Sequence, residues 1–212
     1  GYTVFHSGEN LGIGSTSTKS VRFTRRAYLT ASAAHSSTAL NRDYSKSTTI
    51  SLWFKTGYGH KGSGTGPVSS SMIVKGVTDG DLKFPPAYEI RFHNHGITAN
   101  VGHQRGVANE MSYGDGQQPD GGLSDSQWHH VVLSWSDSTA AKSMFLYVDG
   151  DQKDSKTTGR APATSSTLVL FGAKPPDIDD TSGSANMGFQ GYMDEISFWS
   201  GSMTEAQVTT LY

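Results

Sequence analysis

Residues 49–56 read TISLWFKT. In an extended chain successive side chains point to opposite faces. Ile50, Leu52 and Phe54 therefore fall on one side, with Ser51, Trp53 and Lys55 on the other. That is the pattern of a strand with one face in a core. The same alternation recurs along the chain. In YEIRFHNHGITANVGH (88–103), Tyr88, Ile90 and Phe92 alternate with Glu89 and Arg91; a turn is expected at His93-Asn94-His95-Gly96, then a second strand with Ala99 and Val101 inward. WHHVVLSW (128–135) and SMFLYVDGDQ (143–152) supply two more strands, the second reaching an Asp149-Gly150 turn. STLVLFG (166–172) and GFQGYMDEISFW (188–199) supply the last strong ones. The links are rich in Gly, Ser, Asp and Thr, notably 57–66 and 114–122. The expected architecture is all-β, two packed antiparallel sheets. One helix is expected, from Glu205 to Leu211: in SMTEAQVTTLY, Thr204 and Gln207 form a capping-box pair, and Met203 and Val208 occupy staple positions.

Composition narrows the function classes. The 212 residues suit one large β domain, with no internal repeat. A net charge of −2 without a basic block disfavours nucleic acid as a partner. With no cysteine, disulfides, thiolate catalysis and cysteine-held zinc are removed together. Apolar runs are too short for a membrane-spanning helix, and GYTVFHSGEN lacks the basic-then-apolar pattern of a signal peptide. No Asn begins an N-x-Ser/Thr sequon.

Three elements resemble the laminin-G-like and pentraxin-like branch of the concanavalin A-like lectin/glucanase superfamily. They are ISLWFKT, then WHHVVLSWSDSTAAKSMFLYVDG, then GYMDEISFWSGSMTEAQVTTLY, in the family's order. The resemblance covers about residues 21–212 and implies a curved jelly roll, leaving 1–20 as an N-terminal extension or first edge segment. A shorter stretch, GSTSTKSVRFTRRAYLTAS (14–32), is similar to the opening of laminin-G-like domains in bacteriophage and other viral structural proteins.

AKPPDIDDTSGS (173–184) sets Asp177, Asp179 and Asp180 between a Pro-Pro pair and a Gly/Ser-rich run. Such a run is either a solvated loop tip or a cation site. The pentraxin-like resemblance implies calcium, held by this loop together with Asp79 and Asp81 of VTDGDLKF. It also offers Asp194, in YMDEIS, as a second calcium position, although Phe23 is followed here by Thr24-Arg25-Arg26 and Asp194 is an alternative partner for an arginine. His93, His95 and His103 crowd one hairpin, but a two-residue spacing across a tight turn rarely aims two rings at one metal.

The superfamily's glucanases use a Glu-x-Asp-x-x-Glu strand to place acid and nucleophile on one face. No Glu in this chain is followed two positions later by an Asp, and no Gly-x-Ser-x-Gly elbow or phosphate loop occurs. The expectation is a non-enzyme. A sugar site needs aromatic faces with polar groups beside them. The candidates are Trp53, Arg91 and Asn100 on outward strand faces, with Tyr58, His60 and Tyr113 in loops. The expected function is non-catalytic recognition of a glycan or glycosylated host surface, calcium-assisted, by a module displayed extracellularly or on a virion. The alternative is a structural module that joins other virion proteins by protein contacts and binds no sugar.

Overall fold

The computed structural model describes residues 4–7, 19–24, 27–31, 47–57, 69–75, 87–102, 110–114, 122–136, 142–158, 169–172 and 188–212. These hold thirteen strands and one helix. In chain order the strands are β1 (Val4–Ser7), β2 (Lys19–Phe23), β3 (Leu29–Ala31), β4 (Thr48–Lys55), β5 (Ser69–Lys75) and β6 (Tyr88–His93). There follow β7 (Gly96–Val101), β8 (Met111–Tyr113), β9 (Trp128–Trp135), β10 (Lys142–Val148), β11 (Asp151–Thr158), β12 (Val169–Phe171) and β13 (Gly191–Ser200). The helix α1 (Glu205–Leu211) ends the chain.

A seven-stranded sheet runs β1-β2-β13-β4-β9-β10-β11 and a six-stranded sheet runs β3-β12-β5-β6-β7-β8. Every strand pairing within each sheet is antiparallel. The N-terminal strand β1 is therefore an edge of the first sheet, and the last strand, β13, lies inside it between β2 and β4. This is the two-sheet sandwich the alternation predicts.

The core forms where the inward faces meet. Ile50, Leu52 and Phe54 of β4 pack with Tyr88, Ile90 and Phe92 of β6 and Ala99 and Val101 of β7. Phe54, Phe92 and Phe189 meet edge-to-face, an arrangement their ring quadrupoles favour. The β6–β7 hairpin turns on Asn94 and His95, both at positive φ, and the β10–β11 hairpin on Asp149 and Gly150, also both at positive φ. Two consecutive left-handed residues match the twist of the flanking strands, which is why short hairpins select them.

The outer face of β4 is buried too, which alternation alone does not predict. Ser51 and Trp53 are shut from solvent because α1 and the C-terminal residue lie over this sheet. Val208 of α1 packs with Val132, Tyr147 and Met203. Thr204 caps the helix as expected, its backbone N–H donating to Gln207 Oε1 at 2.9 Å and its hydroxyl accepting from the Gln207 N–H at 3.4 Å.

Candidate functional site

Of the expected ligand residues, the described ones, Trp53, Arg91, Asn100 and Tyr113, do not come together as one group. Trp53 is 5% exposed. His130 stacks on it at 5.0 Å between ring centroids and Tyr212 at 5.5 Å. Instead of an open stacking platform, the indole is part of the seal beneath the chain's end. His129-His130 and Asp149-Gly150 of the family signatures serve the same seal. Asp149 accepts from the His130 backbone N–H at 2.9 Å with one oxygen and contacts His129 Nδ1 at 2.8 Å with the other. A Cβ on Gly150 would lie 3.1 Å from Tyr212, so the turn leaves room for that ring.

Two neighbouring imidazoles are driven apart in basicity. Burial draws His129 downward, but the carboxylates of Asp149 and Asp125 outweigh it and raise its pKa. Burial lowers His130 to about 4, opposed by Asp149.

Arg91 and Asn100 belong to the other sheet. Arg91 is 6% exposed; its Nε donates to Thr98 and its terminal nitrogen pairs with Glu110 at 2.5 Å. Asn100 is fully buried, with neither amide atom partnered among the described residues. With Ser71 donating to Glu89 at 2.6 Å, they make a polar but solvent-closed outer face. Tyr113 stands where β8 and β11 close the sandwich edge, under the Lys153 ammonium at 5.0 Å. Tyr58 and His60 lie outside the described residues.

The calcium candidates Asp79, Asp81, Asp177, Asp179 and Asp180 also lie outside the described residues. Asp194 accepts from the Glu195 N–H at 2.8 Å, at a bulge where Glu195 takes a positive φ. Among the described residues no group of three or more His, Asp or Glu side chains gathers as a metal site. His95 is an anchor: its ring contacts the Ser124 hydroxyl at 2.6 Å, and its carbonyl accepts from Leu123.

A cleft of about 630 Å³ opens at one end of the seven-stranded sheet, a size typical of small-ligand sites. Register builds it. Tyr192 of β13 lies opposite Arg22 of β2 on one side and Lys55 of β4 on the other. Val21, Phe23, Phe54 and Met193 point into the core, so alternation sends Arg22, Lys55 and Tyr192 outward. The Arg22 guanidinium lies 5.9 Å and the Lys55 ammonium 6.0 Å from the Tyr192 ring centroid. Trp128, opposite Lys55 on β9, has its ring 6.4 Å from Tyr192.

The surrounding backbone is tied in place. Ser126 N–H donates to the Thr56 carbonyl at 3.0 Å, and the Thr56 hydroxyl donates to the Gln190 carbonyl at 2.8 Å. Gly191 lets β13 begin here, since a Cβ would lie 2.3 Å from the Lys55 carbonyl oxygen. The lining combines Tyr192 and the edge of the core residue Phe23 with two cations, and with Thr24, Thr56, Ser126 and Gln190. Among the described residues no carboxylate lines it. Sequence reading placed Lys55 outward but missed Arg22 and Tyr192. Their own alternation was a signal; the pairing of β2 with β13 was not.

Comparison with solved structures places the fold. The receptor-binding domain of botulinum neurotoxin D superposes with a TM-score of 0.62 at 12% identity, over 99% of this chain and 47% of that one. A botulinum neurotoxin D ligand-binding domain in complex with N-acetylneuraminic acid gives 0.60 at 11%, over 99% and 45%. The chain thus spans under half the length of these structures. A heptameric pentraxin from Limulus polyphemus gives 0.52 at 14%, over 78% of this chain and 69% of that one. No protein of curated function matches in sequence. No helix among the described residues is long and apolar enough to cross a membrane. The model of the Laminin_G_3 family matches residues 16–209, and the chain belongs to that family of the concanavalin A-like lectin/glucanases superfamily.

Proposed function

We propose that this domain is a non-catalytic recognition module for glycans and that the cleft around Tyr192 is where it binds them. One observation carries the reading: the Tyr192 ring stands in an open cleft among cations, hydroxyls and an amide, with no carboxylate among the described residues that line it. Sugars offer an apolar ring face and many hydroxyls, and that lining answers both. The neighbour crystallised with N-acetylneuraminic acid supports a sugar-binding role for the fold. The likeness of residues 14–32 to viral laminin-G-like openings supports display on a virion surface, and the acidic sequence runs with Asp79 and Asp81 and with Asp177, Asp179 and Asp180 support calcium as an aid.

The test is a glycan array with calcium and with excess chelator, for the wild type and Tyr192→Ala. Binding that Tyr192→Ala abolishes is expected. A signal lost on chelation assigns calcium to recognition. Binding that persists in Tyr192→Ala removes the cleft from the reading, and no glycan bound in either buffer leaves the assembly role.

A further inference from the structure

Residues 122–127, which lead into β9, are tied down on three sides beside the cleft. The Leu123 N–H donates to the His95 carbonyl at 2.7 Å, and Ser124 Oγ meets His95 Nδ1 at 2.6 Å. The Ser126 N–H donates to the Thr56 carbonyl at 3.0 Å, and Ser126 lines the cleft. Asp125 reaches His129 Nε2 at 3.0 Å, and the other nitrogen of that ring, Nδ1, holds Asp149 at 2.8 Å. We propose that the third tie is a proton-operated latch: His129 as imidazolium clamps Asp125, and loss of its proton releases the loop and with it the Ser126 wall of the cleft. The latch stands on the loop's own contacts, whatever the cleft binds.

Hydrogen-bond chemistry asks for the charge. A neutral imidazole has one N–H and one bare nitrogen, while an ionised carboxylate only accepts. Only the imidazolium donates from both nitrogens at once, as contacts to two carboxylates require. Among the described residues these two carboxylates are the charged groups in contact with the ring, and β4 presents the uncharged Phe54 ring at 5.7 Å. Burial draws the His129 pKa down, but Asp149 and Asp125 together raise it above the usual value of about 6.5. The clamp is therefore full below about 6.5 and fails as pH rises through the raised value.

The two carboxylates differ in what holds them. Asp149 is fixed in its turn, where its other oxygen accepts the His130 N–H at 2.9 Å. Asp125 is exposed on the loop, and the next residue, Ser126, takes a φ of 67°. A non-glycine residue adopts that left-handed backbone at a cost, so the ties hold the loop against strain. The contact of His95 with Ser124 needs no particular protonation state, because a hydroxyl either donates or accepts. The proton dependence of the loop is thus concentrated at His129.

The test is an NMR titration of the purified chain from about pH 6 to about pH 9, following the His129 ring nitrogens and the Leu123 and Ser126 amides. The ring is expected to carry protons on both nitrogens at the acid end and to titrate above about 6.5. Hydrogen-exchange protection of the two amides, corrected for the intrinsic pH dependence of exchange, should fall about tenfold through the same midpoint, the scale of one charge-assisted hydrogen bond at a partly exposed site. In Asp125→Asn the side-chain amide can donate to a neutral ring, so protection should no longer depend on pH. Asp125→Ala should sit at the released level at every pH and lower the midpoint of the ring. Melting curves matching the wild type show that both variants fold. A His129 ring that is neutral across the range overturns the latch. So does amide protection that ignores the ring's titration, or a pH dependence of protection that survives in Asp125→Asn.

Discussion

Trp53 and Tyr192 stand on the same outer face of the same sheet, in neighbouring register rows, and meet opposite fates. Tyr192 lies opposite Lys55, and Trp53 opposite Asp194, two residues along β13. The indole is roofed by Tyr212; the phenol stays partly exposed between two cations. An aromatic side chain on this face becomes core or platform according to whether another side chain settles on it, as Tyr212 does on Trp53. Its residue type and its position in the strand do not decide this.

The widest separation should come from truncating each ring. Trp53→Ala is expected to lower unfolding free energy by about 3–5 kcal/mol, as for a buried aromatic whose site cannot collapse. A loss under about 1 kcal/mol in urea unfolding would mean that the seal is loose and that Trp53 belongs with the open surface after all.

Acid should attack the sealed row next. His130 is held neutral in the fold, so its contribution is full above the unfolded value of about 6.5 and is lost as pH falls through about 4. The shift amounts to about 3 kcal/mol. His129 has the opposite sign: its contribution is full below about 6.5 and is lost as pH rises through its raised folded value. Unfolding midpoints against pH should therefore peak near neutrality. His130→Asn should flatten the acid limb and His129→Gln the alkaline one; an unchanged acid limb in His130→Asn would break the link between the seal and that imidazole.

Removing the roof is a smaller change. Tyr212→Ala should cost about 1 kcal/mol, the scale of a stacked pair, and shift tryptophan emission to the red as Trp53 meets water. Emission that stays put would show Trp53 covered by other groups. Smallest of all, Tyr192→Ala should alter stability by about 0.5 kcal/mol or less, as at an exposed site. A large loss there would turn the platform into a structural element and collapse the contrast.

Much of the fold was legible because burial in a sandwich writes itself as a period of two. Ile50, Leu52, Phe54, Tyr88, Ile90 and Phe92 all point where alternation sends them. Thr204 and Gln207 marked the helix because capping is a contact across four residues. The site was far less legible. Arg91 and Asn100 read as outward polar residues, correctly, yet the outward face they share is closed to solvent. Trp53 was the conspicuous aromatic, and it is the one taken up by packing.

The sequence by itself determined the strong strands within 49–56, 88–103, 128–152, 166–172 and 188–199, the two hairpin turns, the capped helix and the superfamily signatures. Each depends on neighbours a few positions apart, or on an alternation that one strand displays alone. Only the tertiary structure decided that β13 returns between β2 and β4, and so that Arg22, Tyr192 and Lys55 share one row. It also decided that Tyr212 settles on Trp53. Those contacts join residues more than 130 positions apart, and no local periodicity records them; they follow from sheet order, set by the packing of the whole core.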